Sequence, residues 1–551
     1  MKKLCSILLL VVLMGTISAV PAYADERYNP TLKIGLYYDS AAMAAANLQN
    51  MTGCETGYVV GYYNDNREFV SLYNLSENKL TILKDRNMWV TSGNVYYDTL
   101  PSSYNYSIGS THWQVDTIYN TAEAADAVVA QIRSLGYAAF PVCVKEGYRV
   151  RVEDYLNEDL ANAAYAELTA KTGLSLVLRS ASSTGYVITV TGTNQILCGF
   201  DLLGRPLGIR PNSELTWFKQ VRYYGGFEYN RISGNNMNVI NVVDMNSYIK
   251  GVVPYEVSTS WPIEAQKAEA LCAKCYAYNN MRKHKSKGFD LCNTDDCQVY
   301  GGTERATPTS NEAVDAVDGI YVTYNGKVCQ TYYHSTSGGY TEDAGNVWGT
   351  DIPYLKAVED KYLEVFNPYS YTLTLDQITT ILQAKGYTTK KVTDIYVSKF
   401  SSVGNALTLS FVESDGTVRN LSGDLSRTAL NYTGFSSPIK IGSHRYNITN
   451  NATLYADGEK LNSNLQDCYA IGAGGELSKI TVSSSQLQVM TGSGLQTINS
   501  PTESYTISGT GMGHNIGMSQ WGANAMAKRG FTYDQIVKFY FTGVEVGYFE
   551  P

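Results

Sequence analysis

One acidic residue of this 551-residue chain stands in a setting that changes its chemistry. Glu256 is flanked by Val253, Tyr255, Val257 and Trp261, in the run Tyr248-Ile249-Lys250-Gly251-Val252-Val253-Pro254-Tyr255-Glu256-Val257 followed by Ser260-Trp261-Pro262. A carboxyl among apolar neighbours is partly desolvated, which favours its protonated form and fits a general acid working near neutral pH. A solvated loop glutamate is the competing reading of the same residues. Gly251 and Pro254 punctuate an apolar, strand-like segment and predict a turn, and Pro262 suits the first position of a helix. Glu256 is thus expected on a turn between a strand and a helix that runs through small residues from Ile263 to Asn280. Glu264 and Glu269 fall inside that helix and are expected to cap and solubilise it, and Asp244 reads as a turn residue. No second carboxylate stands out.

Other residue types invite other chemistry. His334 beside Ser335 and Ser337 raises a serine hydrolase, but no strand-turn-helix nucleophile elbow surrounds either serine, and a buried, hydrogen-bonded histidine is the default. A cysteine peptidase built from Cys272 or Cys275 with His334 lacks a nucleophile block. Cys272 and Cys275 lie on one face of the predicted helix, and Cys292 and Cys297 enclose four residues. Four thiols so spaced could hold a structural zinc ion; a Cys292–Cys297 disulfide and free thiols are the other readings.

The elements around these residues follow from length and pattern. The chain is long enough for roughly two to four domains. Lys2 and Lys3, the apolar run Ile7 to Leu13 and Ala22-Tyr23-Ala24 read as a signal peptide over residues 1–24, with a mature start at Asp25; a retained anchor is the alternative. No later run approaches the ~20 apolar residues of a membrane span. The mature chain is therefore expected outside the cell, in the wall or on the outer face of the membrane. Net charge is −8, or about −10 without the two lysines, which argues against nucleic acid as a partner. Charged residues are 17% while tyrosine fills 45 positions, a surface suited to stacking and hydrogen bonding with sugars.

Residues 25–110 alternate as strands from Leu32 onward. His112 to Gly173 reads strand, helix, strand twice over, a small module of βαβ repeats spanning 111–176. Alternation returns at Tyr186–Val190, Gly225–Tyr229 and Asn238–Val243, and later a helix over Leu375–Gly386 precedes strands at Val392–Val397 and Ala406–Val412. The Gly-, Ser- and Thr-rich stretch 451–499 reads as an inserted hairpin or accessory loop. The fold class expected is α+β: a predominantly β catalytic domain over 184–551 with a long helix after the catalytic loop, plus the small module. Residues 25–110 belong either to that catalytic domain or to one of their own.

Trp113-Gln114-Val115, with Tyr148, Val150, Val152 and two alanine-rich helices, resembles the SPOR domain, a peptidoglycan-binding family. The resemblance implies glycan contacts by Trp113, Gln114 and Tyr148. A second resemblance is more specific. Val253-Pro254-Tyr255-Glu256-Val257 with Trp261-Pro262-Ile263-Glu264-Ala265, Cys297-Gln298-Val299-Tyr300-Gly301, Tyr333-His334-Ser335-Thr336-Ser337-Gly338-Gly339, Pro353-Tyr354-Leu355-Lys356, and Gly511-Met512-Gly513-His514-Asn515-Ile516-Gly517-Met518-Ser519-Gln520-Trp521 are similar to the SpoIID/LytB family.

The family resemblance implies a peptidoglycan lytic transglycosylase with a single glutamate, here Glu256, and no required cofactor. As an acid it protonates the departing oxygen; as a base it draws the proton from the sugar's own hydroxyl and closes an anhydro ring. Lys274, Tyr354, Lys356, Gln298, His514, Ser519 and Gln520 match supporting or cleft positions. Three departures follow from the comparison of motifs: Lys274 replaces arginine, Asn515 replaces glycine, and Asp296 replaces the histidine of a structural zinc site, where His284 could substitute. The partners implied are glycan strands stripped by an amidase, in sporulation or wall turnover. A non-catalytic peptidoglycan-binding amidase enhancer is the alternative.

Overall fold

The structure, a computed structural model, describes residues 28–550, and between 452 and 503 only the backbone of six short strands. The expected signal peptide and Cys468 lie outside the described residues. No described helix is long and apolar enough to cross a membrane.

Strand alternation from Thr31 builds a seven-stranded sheet. Thr31–Tyr37 buries Leu32, Ile34 and Leu36, pairs antiparallel with Met237–Asp244 and lies parallel to Leu291–Cys292. The first described strand thus sits beside the strand that leads into the Glu256 segment. A ten-stranded sheet runs in the order Leu176–Arg179, Thr111–Val115, Gly147–Tyr155, Ala139–Val144, Ile196–Asp201, Tyr186–Val190, Lys79–Lys84, Ala45–Asn50, Leu215–Phe218 and Val221–Tyr224. Its first four strands, with helices α1 (Ala122–Ser134) and α2 (Glu158–Thr172), form the small module in the predicted strand-helix-strand order. Thr121 and Asn157 cap the two helices through side-chain oxygens, and Gly173 ends α2 in the left-handed region.

The module is not free-standing. Ala139–Val144 pairs in parallel with Ile196–Asp201, so its sheet continues into the neighbouring strands. Its helices cover one face, over Trp113, Val115, Val150 and Val152. On the other face Phe140 and Val142 pack with Met88, Val90 and Ile108 of a three-stranded sheet built from Met88–Thr91, Val95–Tyr97 and Tyr106–Ile108.

The segment expected as strand and turn before Glu256 is helical. Helix α3 spans Met245–Glu256, with Asp244 capping it by accepting from the Ser247 amide. Its buried residues Met245, Tyr248, Ile249, Val252 and Val253 recur with helical period, each worth about 1.5–3 kcal/mol if fully buried. Pro254 falls in the last turn, and Gly251 serves packing rather than turning: a Cβ there would lie 2.4 Å from the Tyr300 ring. Helix α4 covers Ile263–Asn279, with Pro262 at its N-cap.

The remaining helices are α5 (Pro308–Asp315), α6 (Ala344–Trp348), α7 (Leu375–Ala384), α8 (Asp424–Thr428), α9 (Gln520–Lys528) and α10 (Tyr533–Tyr540). Helix α7 packs with Val392–Phe400, Ala406–Glu413 and Tyr446–Asn450 around a separate apolar core. In the segment read as an inserted hairpin or accessory loop, the described strands pair as Leu454–Ala456 with Glu459–Leu461, Tyr469–Ile471 with Leu477–Lys479, and Gln488–Thr491 with Gly494–Thr497. The strands flanking it, Tyr446–Asn450 and Ser504–Gly509, are direct partners, as an insertion requires.

Candidate active site

Several segments converge on Glu256. Helix α3 ends at it; α4 carries Glu269; the short strand Tyr333–His334 pairs in parallel with Met518–Ser519, which sets Tyr333 beside the start of α9 and Gln520. The loop between α3 and α4 is clamped by Gln266, whose amide donates to the carbonyls of Thr259 and Trp261 at 3.2 and 2.8 Å. Trp261 on that loop packs against Trp521, ring centres 4.9 Å apart, leaving two half-buried indoles on the segments that carry Glu256 and Gln520.

The electrostatics of Glu256 are a balance. Burial raises its carboxyl above the ordinary value, while hydrogen bonds from the Val299 amide, Tyr333 and Gln520 pull it back. The donors are aimed by a second layer. Tyr248 donates to the Gln298 carbonyl at 3.2 Å, and the Gln298 amide donates to the Tyr333 oxygen at 2.8 Å and to the Ala273 carbonyl at 3.3 Å. With its oxygen so occupied, Tyr333 turns its own proton to Glu256. Burial, the largest of these influences, favours the neutral carboxyl, and the three donors favour the carboxylate.

Glu269, expected as a surface helix residue, is wholly buried on α4 and accepts from Gln520 at 3.2 Å. Sequence reasoning missed both Glu269 and Tyr333 as site residues. For Glu269 the signal is its position among Ala265, Ala268, Cys272 and Ala273, a helix buried all round.

Of the other expected residues, Gln298 and Gln520 join the Glu256 network directly. Ser519 caps α9 and accepts from the Gly522 amide at 3.2 Å. His514 is half-buried, its ring 5.5 Å from His334 and 5.2 Å from Trp348, and its Nδ1 accepts from the Ile516 amide. Asn515 has φ +62°, a left-handed conformation that glycine adopts freely and asparagine tolerates, and its side chain bonds His444, Ser337 and Tyr340.

Lys274 lies five residues beyond Glu269, about 140° around the helix. It is 4% exposed and donates to the Val317 carbonyl. Tyr354 accepts from the Gln330 amide at 2.9 Å and packs on Tyr324, and Lys356 pairs with Asp351. Among the described residues, none of these three contacts the Glu256 network. His334 bonds the Ile516 carbonyl, and Ser337 donates to Asp360 at 2.7 Å, so these two do not pair with each other.

In the module, Trp113 and Gln114 are 6% and 5% exposed. The Trp113 indole donates to the Ala161 carbonyl at 2.9 Å under the helices, and Gln114 lies on the opposite, covered face. Tyr148 donates to the Leu72 carbonyl at 2.6 Å. The expected glycan contacts by Trp113 and Gln114 are thus replaced by core packing.

The thiols separate into two groups. Cys272 lies against Met518, and Cys275 accepts from the Val322 amide, so neither joins a metal cluster. Cys292 and Cys297 instead meet His284 and Asp296, all four donor atoms lying within 4.8 Å of one another. His284 Nε2 is 3.3 Å from Cys297 Sγ and 3.2 Å from Asp296 Oδ2, and Cys292 Sγ is 3.7 Å from Asp296 Oδ2. Those separations match the edges of a tetrahedron of zinc-type ligands, about 3.3–3.8 Å from ordinary bond lengths. The described cysteines are free thiols.

A family model described as Stage II sporulation protein matches residues 233–324, and one described as SPOR domain matches residues 114–180. The first covers Glu256, Glu269 and the thiol cluster. The chain is 33% identical to the amidase enhancer of Bacillus subtilis over 54% of its own length and 39% of that protein. It is 26% identical to Stage II sporulation protein D of Bacillus subtilis over 56% of its length and 76% of that protein. An uncharacterized protein of Brachyspira hyodysenteriae is 28% identical over 59% of this chain and 72% of its own. The chain therefore carries a stage II sporulation protein domain of the SpoIID family together with a SPOR domain.

Proposed function

We propose that the protein is an exported peptidoglycan lytic transglycosylase. It cleaves the bond between MurNAc and GlcNAc on strands stripped by an amidase and leaves anhydro-MurNAc ends, in septum remodelling or wall turnover. The observation that carries this reading is the single half-buried Glu256 poised by burial against three donors. Protonated, it gives its proton to the departing glycosidic oxygen. The Val299 amide, Tyr333 and Gln520 then hold the resulting carboxylate, which takes the proton from the sugar's own hydroxyl as the ring closes. Two-carboxylate hydrolases set a second carboxylate to activate water or attack the sugar, and Glu269 is sealed from solvent. Trp261 and Trp521 offer aromatic faces to a sugar ring.

His284, Cys292, Asp296 and Cys297 would hold a zinc ion, which would cross-link the segment after α4 as a structural metal. A second reading, a non-catalytic amidase enhancer that binds glycan, is supported by the relative of that name. Muropeptide mass spectrometry on amidase-treated peptidoglycan separates the two. Anhydro-MurNAc ends are expected with the mature protein and not with Glu256→Gln. If neither form makes them while both bind glycan, the enzyme reading falls and the enhancer reading replaces it.

A further inference from the structure

Glu269 is a carboxyl with 0% exposure, and only one of its oxygens is served: Oε1 accepts from Gln520 Nε2 at 3.2 Å, while Oε2 has no partner among the described residues. The titratable groups facing it are Glu256 from α3, Tyr333 from its strand and Cys272 from α4 itself; Gln520 from α9 is uncharged, and no lysine, arginine or histidine is among them. An ionised carboxylate in that setting would be buried, unpaired and beside a second carboxylate, an arrangement too costly to persist.

We propose that Glu269 is a positioning residue: a neutral carboxylic acid whose carbonyl oxygen anchors the Gln520 amide, so that the amide's second N–H donates to Glu256. A primary amide has two opposite ends, and both look alike in shape. Without an acceptor on the α4 side, nothing stops the Gln520 carbonyl from turning toward Glu256, where it would repel the carboxylate form. The backbone of Gln520 is already fixed by the Ser519 cap at the start of α9, so the remaining freedom is the amide orientation, and Glu269 removes it. The proton resides on Oε2, since Oε1 is the acceptor. The role rests on the transglycosylase reading of Glu256 in its activity arm alone.

Burial and the charge of Glu256 raise the Glu269 carboxyl well above its ordinary 4.5. A folded value raised above the unfolded one gives stability that is fully present below pH about 4.5 and lost as pH rises toward the folded value. Glutamine at 269 keeps the carbonyl and replaces O–H by NH2, imitating the neutral acid without titrating.

The test compares full-length mature protein with Glu269→Gln and Glu269→Ala. E269Q is expected to cleave stripped glycan within about threefold of the parent. The parent's melting temperature relative to E269Q should fall as pH rises above about 5. E269A is expected to lose about 10- to 100-fold in kcat with KM within twofold, the signature of a misaimed donor. If E269A does not fold, Gln520→Met supplies the same comparison. Loss of cleavage in E269Q as complete as in E256Q would overturn the proposal by making Glu269 a working carboxylate, and so would a melting-temperature gap that does not change with pH. If the parent itself leaves glycan uncut, the pH comparison still decides the state of Glu269 and the transglycosylase reading alone falls.

Discussion

Lys274 is a buried cation on α4. Its ammonium donates to the Val317 carbonyl and lies 5.0 Å from the centre of the Tyr321 ring, and burial pushes it down to about 8. A depressed folded value means that its contribution to stability is present above pH 10.5 and lost as pH falls through about 8. At neutral pH the folded state therefore carries an unfavourable buried charge. Lys274→Met removes it without orphaning Val317, whose carbonyl also accepts from the Ile320 amide at 3.1 Å. The variant is expected to be as stable as the parent at pH 7 or up to about 3 kcal/mol more so, with the difference shrinking by pH 10, as urea melts at both pH values would read. Glycan cleavage should stay within about threefold, because the side chain points away from Glu269 and makes no contact in the Glu256 network. Abolished cleavage in a folded K274M would place the ammonium at the substrate instead. At this scale the sequence marked Glu256, Gln298 and Gln520 because their neighbours are informative. It hid Glu269 because a glutamate three to five residues from alanines and a lysine looks like any solvated helix position, and only the packing of α9 and the Tyr333 strand seals it.

The segment following α4 shows what an element adds to its residues. Lys285–Lys287 forms a single 3-10 turn, after which the chain enters the seven-stranded sheet at Leu291–Cys292, and this return brings His284 back onto the Cys292–Cys297 loop. The thiol pair was legible as a metal or disulfide candidate from its spacing. The other two donors were less so, because Asp296 stood where a histidine was expected and His284 is eight residues upstream of Cys292. Chelator-treated protein given zinc is expected to gain stability, about 2.7 kcal/mol when free zinc stands a hundredfold above the dissociation constant. Cys297→Ser and His284→Ala should each remove most of that gain, and one equivalent of zinc should protect two thiols from alkylation. Thermal melts with and without metal check this; equal melts would leave the cluster a set of free thiols. Helix α3 is the counterpart. Its apolar residues at 245, 248, 249, 252 and 253 spell a helix, but Gly251 and Pro254 read as breakers. Contact with Tyr300 explains the glycine, and the proline falls in the last turn, where it breaks little of the helix.

At the scale of the whole molecule, the SPOR domain is woven into the fold rather than tethered to it. The repeat of strand, helix, strand was visible in sequence because it is local. The pairing of Ala139–Val144 with Ile196–Asp201, and the cover of Met88, Val90 and Ile108 over Phe140 and Val142, were not, since they join residues far apart in the chain. Buried polar contacts follow the same seam: Arg151 reaches Asp85 at 3.4 Å, and Asp154 accepts from the Gly109 amide at 2.7 Å. Removing the module would therefore strip one neighbour from Ile196–Asp201 and bare the apolar side of residues 88–108. An exposed, unpaired strand beside an apolar patch is an aggregation site. Replacing residues 111–179 by a short Gly-Ser linker is accordingly expected to give aggregated or protease-sensitive protein, and not a soluble remainder. Size-exclusion chromatography and limited proteolysis read the outcome. A monomeric excised chain with the parent's melting temperature would mean that the seam contributes little. An aggregated one would mean that the module and the sheets it joins form a single folding unit.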